Sequence, residues 1–228
     1  MKKKEKFHLF HSVKREIYYS YIRVIRLISN LFSKNIEHQF LFILSPPYAG
    51  STMLNQLISS SENVSCNNNL GTREGQLLPG VKHFMFQKDR WDENVQYPWE
   101  KVRKIWLKYW DYSKPIFLDK SIPNIMRVDE IEKVFSPIKY MCMVRNPYAQ
   151  VEGLMRRNKQ DAKSAAEFAI KCLYYQSKNR KRENILFFTY EQLCDNGEEI
   201  SQRMIKFMPE LSDLDMNIEL TSHNFKSK

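Results

Sequence analysis

The sequence predicts a three-layer α/β fold with a mainly parallel central sheet. Apolar runs near residues 40, 115, 138 and 185 are separated by segments of helical spacing, the alternation that builds parallel sheets. Two of these runs, at 40–44 and 138–144, break into Pro-containing turns and resume as helices. Polar residues follow directly after three of the strands, so the fold would gather them in the crevice beyond the carboxyl edge of the sheet.

The elements follow in order. With 228 residues, 43% of them apolar, the chain can bury one substantial core. The expected division is a basic amphipathic extension over 1–38, packed on the body, and an α/β domain over 39–228. Residues 1–38 hold nine Lys/Arg and three Glu, and so supply six of the formal +10 charges. Ile17, Tyr21, Val24, Ile28 and Leu31 mark an apolar stripe on a helix across 14–32, which is expected to dock on the body. The same basic pattern also suits a membrane surface or nucleic acid.

After the strand at 40–45, Leu54, Leu57 and Ile58 share one face of a helix over 51–60. Residues 61–98 show no sustained periodicity and read as long loops with short helical pieces, a common place for functional residues. Trp99, Val102, Ile105, Trp106, Tyr109 and Trp110 define an aromatic helix face expected in the core. A strand at 115–118, a helix at 123–134, a helix after Pro147 containing Val151, Leu154 and Met155, and a helix at 163–178 come next. A strand at 185–188 and a helix at 198–208, stopped by Pro209, complete the series.

Cys66, Cys142, Cys172 and Cys194 lie far apart with no zinc-type spacing, so no metal site is expected. They suit a reducing compartment. No apolar run is long enough for a signal peptide or a membrane span, and a cytoplasmic protein is expected.

The chemistry starts at Pro47-Tyr48-Ala49-Gly50-Ser51-Thr52, a P-loop-like turn entering a helix. First-turn amides and the helix dipole favour an anion there, Gly50 permits close approach, and Ser51 and Thr52 add hydroxyl donors. The other reading is an ordinary turn capped by Ser51 or Thr52. It is not a Walker A loop, because no lysine follows Gly50. Lys120 and Arg145 each follow a strand, as phosphate-binding cations would; Glu74 lies in the long loop.

In this order and over about residues 40–194, the chain resembles the sulfotransferases that use 3'-phosphoadenosine 5'-phosphosulfate, in particular their tyrosylprotein-type and bacterial carbohydrate-type branches. The turn at 47–54 is similar to the family's 5'-phosphosulfate loop, and Val144-Arg145-Asn146-Pro147 to the signature whose arginine binds the 3'-phosphate. Asp119-Lys120-Ser121-Ile122-Pro123-Asn124 and Tyr190-Glu191-Gln192-Leu193-Cys194 resemble two further boxes.

The resemblance implies sulfuryl transfer to an acceptor hydroxyl on a carbohydrate, a peptide tyrosine or a small molecule. Glu74, in Thr72-Arg73-Glu74-Gly75-Gln76, would be the base and Lys120 would serve the transferred group, with Ser121 a secondary donor. Tyr48, Ala49, Gly50, Ser51, Thr52, Arg145, Tyr190 and Lys226 would hold the cofactor, leaving 3'-phosphoadenosine 5'-phosphate as product. Each residue also has a plain reading: Glu74 paired with Arg73, Lys120 with Asp119 or Glu130, and Tyr190 simply packing its ring. His83 is the second candidate base.

Two positions depart from the pattern. Relatives carry Lys or Arg where this chain has Tyr48, and a serine where it has Gly153. A neutral phenol donates one hydrogen bond and glycine none, which leaves open weaker binding, a different donor or an inactive relative. The alternatives are a P-loop phosphoryl-transfer enzyme, or a non-enzymatic basic module for nucleic acid or membrane surfaces. The first lacks its loop lysine and the second any nucleic-acid-reading motif, so no specific nucleic-acid partner is expected. The sequence leaves the acceptor and the oligomeric state open.

Overall fold

Helix α1 (Lys3–Leu31) leads into β1 (Gln39–Leu44), which a tight turn joins to α2 (Ser51–Ile58). Strand β2 (Val64–Cys66) and the helices α3 (Lys82–Met85) and α4 (Trp99–Trp106) follow, then β3 (Ile116–Asp119) and α5 (Val128–Glu132). The second half comprises β4 (Ile138–Val144), α6 (Pro147–Asn158), α7 (Ala162–Asn179), β5 (Ile185–Thr189), α8 (Tyr190–Asp195) and α9 (Gly197–Phe207). This computed structural model describes residues 3–218, with side chains described from Val13 onward.

The five strands form one sheet in the order β2-β3-β1-β4-β5, and every pairing is parallel. The fold is therefore the predicted α/β type with an all-parallel centre. Side chains alternate across the sheet, as the two-residue period of a strand requires. Phe40, Phe42, Phe117, Tyr140 and Cys142 face one layer with Trp99, Trp106, Trp110 and Phe135. Leu41, Ile43, Leu118, Met141 and Met143 face the other, against Leu54, Leu57 and Ile58 of α2 and Ile200 and Met204 of α9. Burial on both faces is why the strands read as continuous apolar runs.

The three tryptophans are core, as expected from their spacing. Their indole N–H groups find internal acceptors: Trp99 donates to Glu130 Oε2 at 2.7 Å, Trp106 to the Gly75 carbonyl at 3.2 Å, and Trp110 to the Leu118 carbonyl at 3.0 Å. Satisfied N–H groups let such large rings be buried.

Three assignments change. The long loop region contains an edge strand, β2, whose three residues are too few to show a period. The segment expected as one helix at 123–134 is a 3₁₀ turn, Ile122–Met126, followed by α5. The stripe on α1 does not dock: Ile17, Tyr21, Val24, Ile28 and Leu31 are all exposed. The helix packs instead through Tyr18, Tyr19 and Ile22. Arg26 pairs with Asp111, and Asn30 bonds to the Trp110 carbonyl and the Tyr112 amide. The body offers α1 polar groups at these points, so the helix meets it with tyrosine, arginine and asparagine, a face that hydropathy does not flag.

Candidate active site

The turn after β1 carries the first component. Gly50 takes the left-handed conformation (φ 88°) at the start of α2, whose N-terminus has no side-chain cap, so its amides point outward with the positive end of the helix dipole. A Cβ on Gly50 would lie 2.3 Å from the Tyr190 ring. The residue must therefore be glycine for packing as well as for its φ.

Tyr48 is also left-handed, at φ 63°, a strained geometry for an aromatic residue. Burial holds its phenol above the usual range, against the nearby positive charges of Arg157 and Arg156. Its hydroxyl donates to Asn158 Oδ1 at 2.5 Å. A Cβ on Gly153 would come within 2.9 Å of Tyr48 Cβ and 3.1 Å of its Cγ. Positions 48 and 153 are thus packed on each other, and the Cβ of residue 48 already crowds the place where a side chain at 153 would begin.

Arg145, just after β4, forms the second component. Its Nη1 donates to the Tyr48 carbonyl at 3.2 Å, and its guanidinium lies 4.7 Å from the centroid of the Tyr190 ring, a cation–π contact. Its Nε is buried with no hydrogen-bond partner among the described residues, a donor available to an anion. Asn146 then caps α6 by accepting from the Tyr148 amide at 2.9 Å, with Pro147 in the first turn, as the sequence reading of a strand-turn-helix unit requires. Tyr190 opens α8, where Thr189 and Gln192 form a capping box.

Lys120 and Glu74 form the third. Lys120 is 2% exposed, yet its ammonium has three acceptors: the Thr72 carbonyl at 2.7 Å, Thr52 Oγ1 at 3.2 Å and Glu74 Oε1 at 3.4 Å. Burial lowers its pKa, and the ion pair with Glu74 opposes that. Arg73, at φ 59°, turns away from Glu74 to donate to Asn55 and Asn69. Glu74 accordingly pairs with Lys120, across from the turn that opens α2, while its other oxygen accepts from Gln76 Nε2.

A polar scaffold lies beneath, unassigned by the sequence reading. Asp119 accepts from Asn67 at 2.8 Å, Ser121 at 3.1 Å and Asn124 at 2.9 Å. Ser121 accepts from the Gln76 amide, and Asn68 donates to the Glu74 carbonyl at 2.7 Å. Ser121 thus has a supporting role. The signal for Asn67 and Asn68 lay in the Asn run after Cys66, but only β2 shows that this run ends a strand.

Burial pushes the Asp119 carboxyl up to about 6, against those three hydrogen bonds. The unfolded chain releases this proton near 3.8 and the folded one near 6, so the folded state holds more protons between them. Stability therefore falls as pH rises through this window, by about 3 kcal/mol once complete. D119N lacks this titration. Urea unfolding at pH 4 and pH 7 should show the variant gaining on wild type by up to about that amount; a pH-independent gap would refute the assignment.

The structure thus joins Tyr48, Gly50, Thr52, Glu74, Lys120, Arg145 and Tyr190 at the carboxyl edge of the sheet, with Ala49 buried and Ser51 starting α2. His83 stands apart, exposed on α3 with its ring against Phe84. Lys226 lies outside the described residues.

The all-parallel sheet thus gathers an uncapped helix start, the buried Lys120, Arg145 and a paired carboxylate at one edge. Residues 41–211 match the model of the sulfotransferase family, and the chain belongs to that family. No curated protein matches it. Among solved structures, it is similar to the sulfotransferase domain from the curacin biosynthetic pathway, at 18% identity over 78% of this chain and 77% of that one, with a TM-score of 0.53. A sulfotransferase from Alicyclobacillus acidocaldarius aligns at 11% identity over 82% and 87%, with a TM-score of 0.55. No helix among the described residues is long and apolar enough to cross a membrane.

Proposed function

We propose that the protein transfers a sulfuryl group from 3'-phosphoadenosine 5'-phosphosulfate to an acceptor hydroxyl. The observation that carries this reading is the buried Lys120, which holds Thr52 of the phosphate turn on one side and Glu74 on the other. Bound at this edge, the cofactor supplies an activated sulfuryl group on a phosphate oxygen. The amides of Gly50, Ser51 and Thr52 hold its 5' end, Arg145 takes the 3'-phosphate through its free Nε, and Tyr190 backs the guanidinium.

Glu74 accepts the proton of the acceptor hydroxyl as that oxygen forms its bond to sulfur. The Lys120 ammonium would offset the charge left on the cofactor's phosphate oxygen as the sulfuryl group leaves it with the bonding pair remaining on that oxygen. Tyr48 brings no charge to the turn, so neutralisation falls to Lys120, Arg145 and the helix dipole. The segment around Glu74 supports a tyrosylprotein-type likeness, and the acceptor is a hydroxyl of a sugar, phenol or peptide. A phosphoryl-transfer enzyme is less well served, since the turn contains no lysine.

Titration calorimetry in the absence of metal tests this reading. Binding of 3'-phosphoadenosine 5'-phosphate is expected, with ATP at least tenfold weaker because it lacks the 3'-phosphate. Equal affinity for the two would overturn the assignment.

A further inference from the structure

On the side of α1 turned away from the body, Ile17, Tyr21, Val24, Ile28 and Leu31 step by four, three, four and three residues. This is heptad spacing, which keeps a seam facing a second helix over several turns. Val13, Ile25, Leu27 and Phe32 widen the seam, and all nine side chains are open, from 36% at Ile25 to 83% at Phe32. Nine exposed apolar side chains on one helix form a continuous patch rather than the singly scattered apolar residues of an ordinary surface, the mark of an interaction site.

We propose that α1 pairs along this seam with α1 of a second copy of the chain. The rows flanking the central positions are Tyr18, Ile25 and Phe32 on one side and Ser20 and Leu27 on the other, so from Ile17 to Phe32 the central and flanking rows contain no charged residue, with Lys14 standing at their N-terminal end. A two-fold pair needs only such a self-complementary stripe. A helix lying in a membrane surface instead borders its apolar face with basic residues. Here two of the basic residues turn elsewhere, Arg15 over the Tyr19 ring and Arg26 to Asp111, while Arg23 bonds to Ser20 at the border of the stripe.

The opposite face of the same helix reaches the site. The Tyr19 hydroxyl donates to Asn68 Oδ1 at 3.2 Å, and Asn68 holds the Glu74 carbonyl. Pairing therefore braces a helix that supports the Glu74 loop.

Sedimentation equilibrium of the full chain at micromolar concentration tests the proposal. Wild type is expected at twice the chain mass, and V24D/I28D at the chain mass with its near-ultraviolet circular dichroism retained, because both positions are exposed. Wild type at the chain mass, or a variant as dimeric as wild type, would overturn it. Flotation with vesicles of phosphatidylglycerol and phosphatidylcholine provides the second measurement. A monomeric wild type that binds these vesicles, and loses them in V24D/I28D, would give the stripe to a lipid surface and overturn it as well.

Discussion

Glu74→Gln is expected to bind 3'-phosphoadenosine 5'-phosphate as wild type does and to turn over about 10²- to 10⁴-fold more slowly, the scale of a lost positioned proton transfer. Glutamine keeps the size of the side chain and an oxygen for the Gln76 amide, but cannot accept the acceptor's proton. The measurement is kcat with 3'-phosphoadenosine 5'-phosphosulfate and whichever of a panel of sugars, phenols and tyrosine peptides is sulfated by wild type. Under either role, removing one partner of the buried Glu74–Lys120 pair strands the other charge at a cost of about 3–5 kcal/mol, so E74Q is expected to lose stability. The kcat of the folded, cofactor-saturated variant is what separates a base from a purely structural partner. A folded E74Q with near-normal kcat would remove Glu74 from the chemistry.

Arg145→Ala carries the second large effect. The guanidinium is held by the Tyr48 carbonyl and the Tyr190 ring with Nε left over, and a charged hydrogen bond of this kind contributes about 1.5–3 kcal/mol. Affinity for 3'-phosphoadenosine 5'-phosphate should fall roughly 10- to 100-fold by calorimetry. Affinity for adenosine 5'-phosphosulfate, which lacks the 3'-phosphate, should change little. Arg145→Lys keeps the charge but not the planar fork and is expected to restore only part of the loss. Equal losses for both ligands would mean that Arg145 shapes the turn rather than reading the 3'-phosphate.

The packing of Tyr48 against Gly153 changes how the two sequence departures are understood. Each replaces a polar residue that the family resemblance leads one to expect, a Lys or Arg at 48 and a Ser at 153. The two positions are also in contact: a Cβ at 153 would meet the Tyr48 Cβ at 2.9 Å and its Cγ at 3.1 Å. Any residue but glycine at 48 carries that Cβ, so a side chain at 153 requires the two segments to move slightly apart whatever stands at 48.

The sequence by itself determined the α/β class, the four longer strands and the turn that opens α2, because these rest on local signals: apolar runs, a Pro/Gly break and helix spacing within a few residues of one another. It also placed Lys120 and Arg145 after their strands, which fixes their position in any parallel sheet. Tertiary structure decided which partner each group takes. Glu74 turns from adjacent Arg73 to Lys120, 46 positions along the chain, and Asp119 collects Asn67 from β2, an edge strand too short to announce itself. On α1 the apolar spacing correctly indicated a helix but not which face meets the body. Periodicity records that a face is apolar, whereas what covers it depends on the surface opposite, and the body presents Asp111, Asn68 and backbone groups that favour the polar side of the helix.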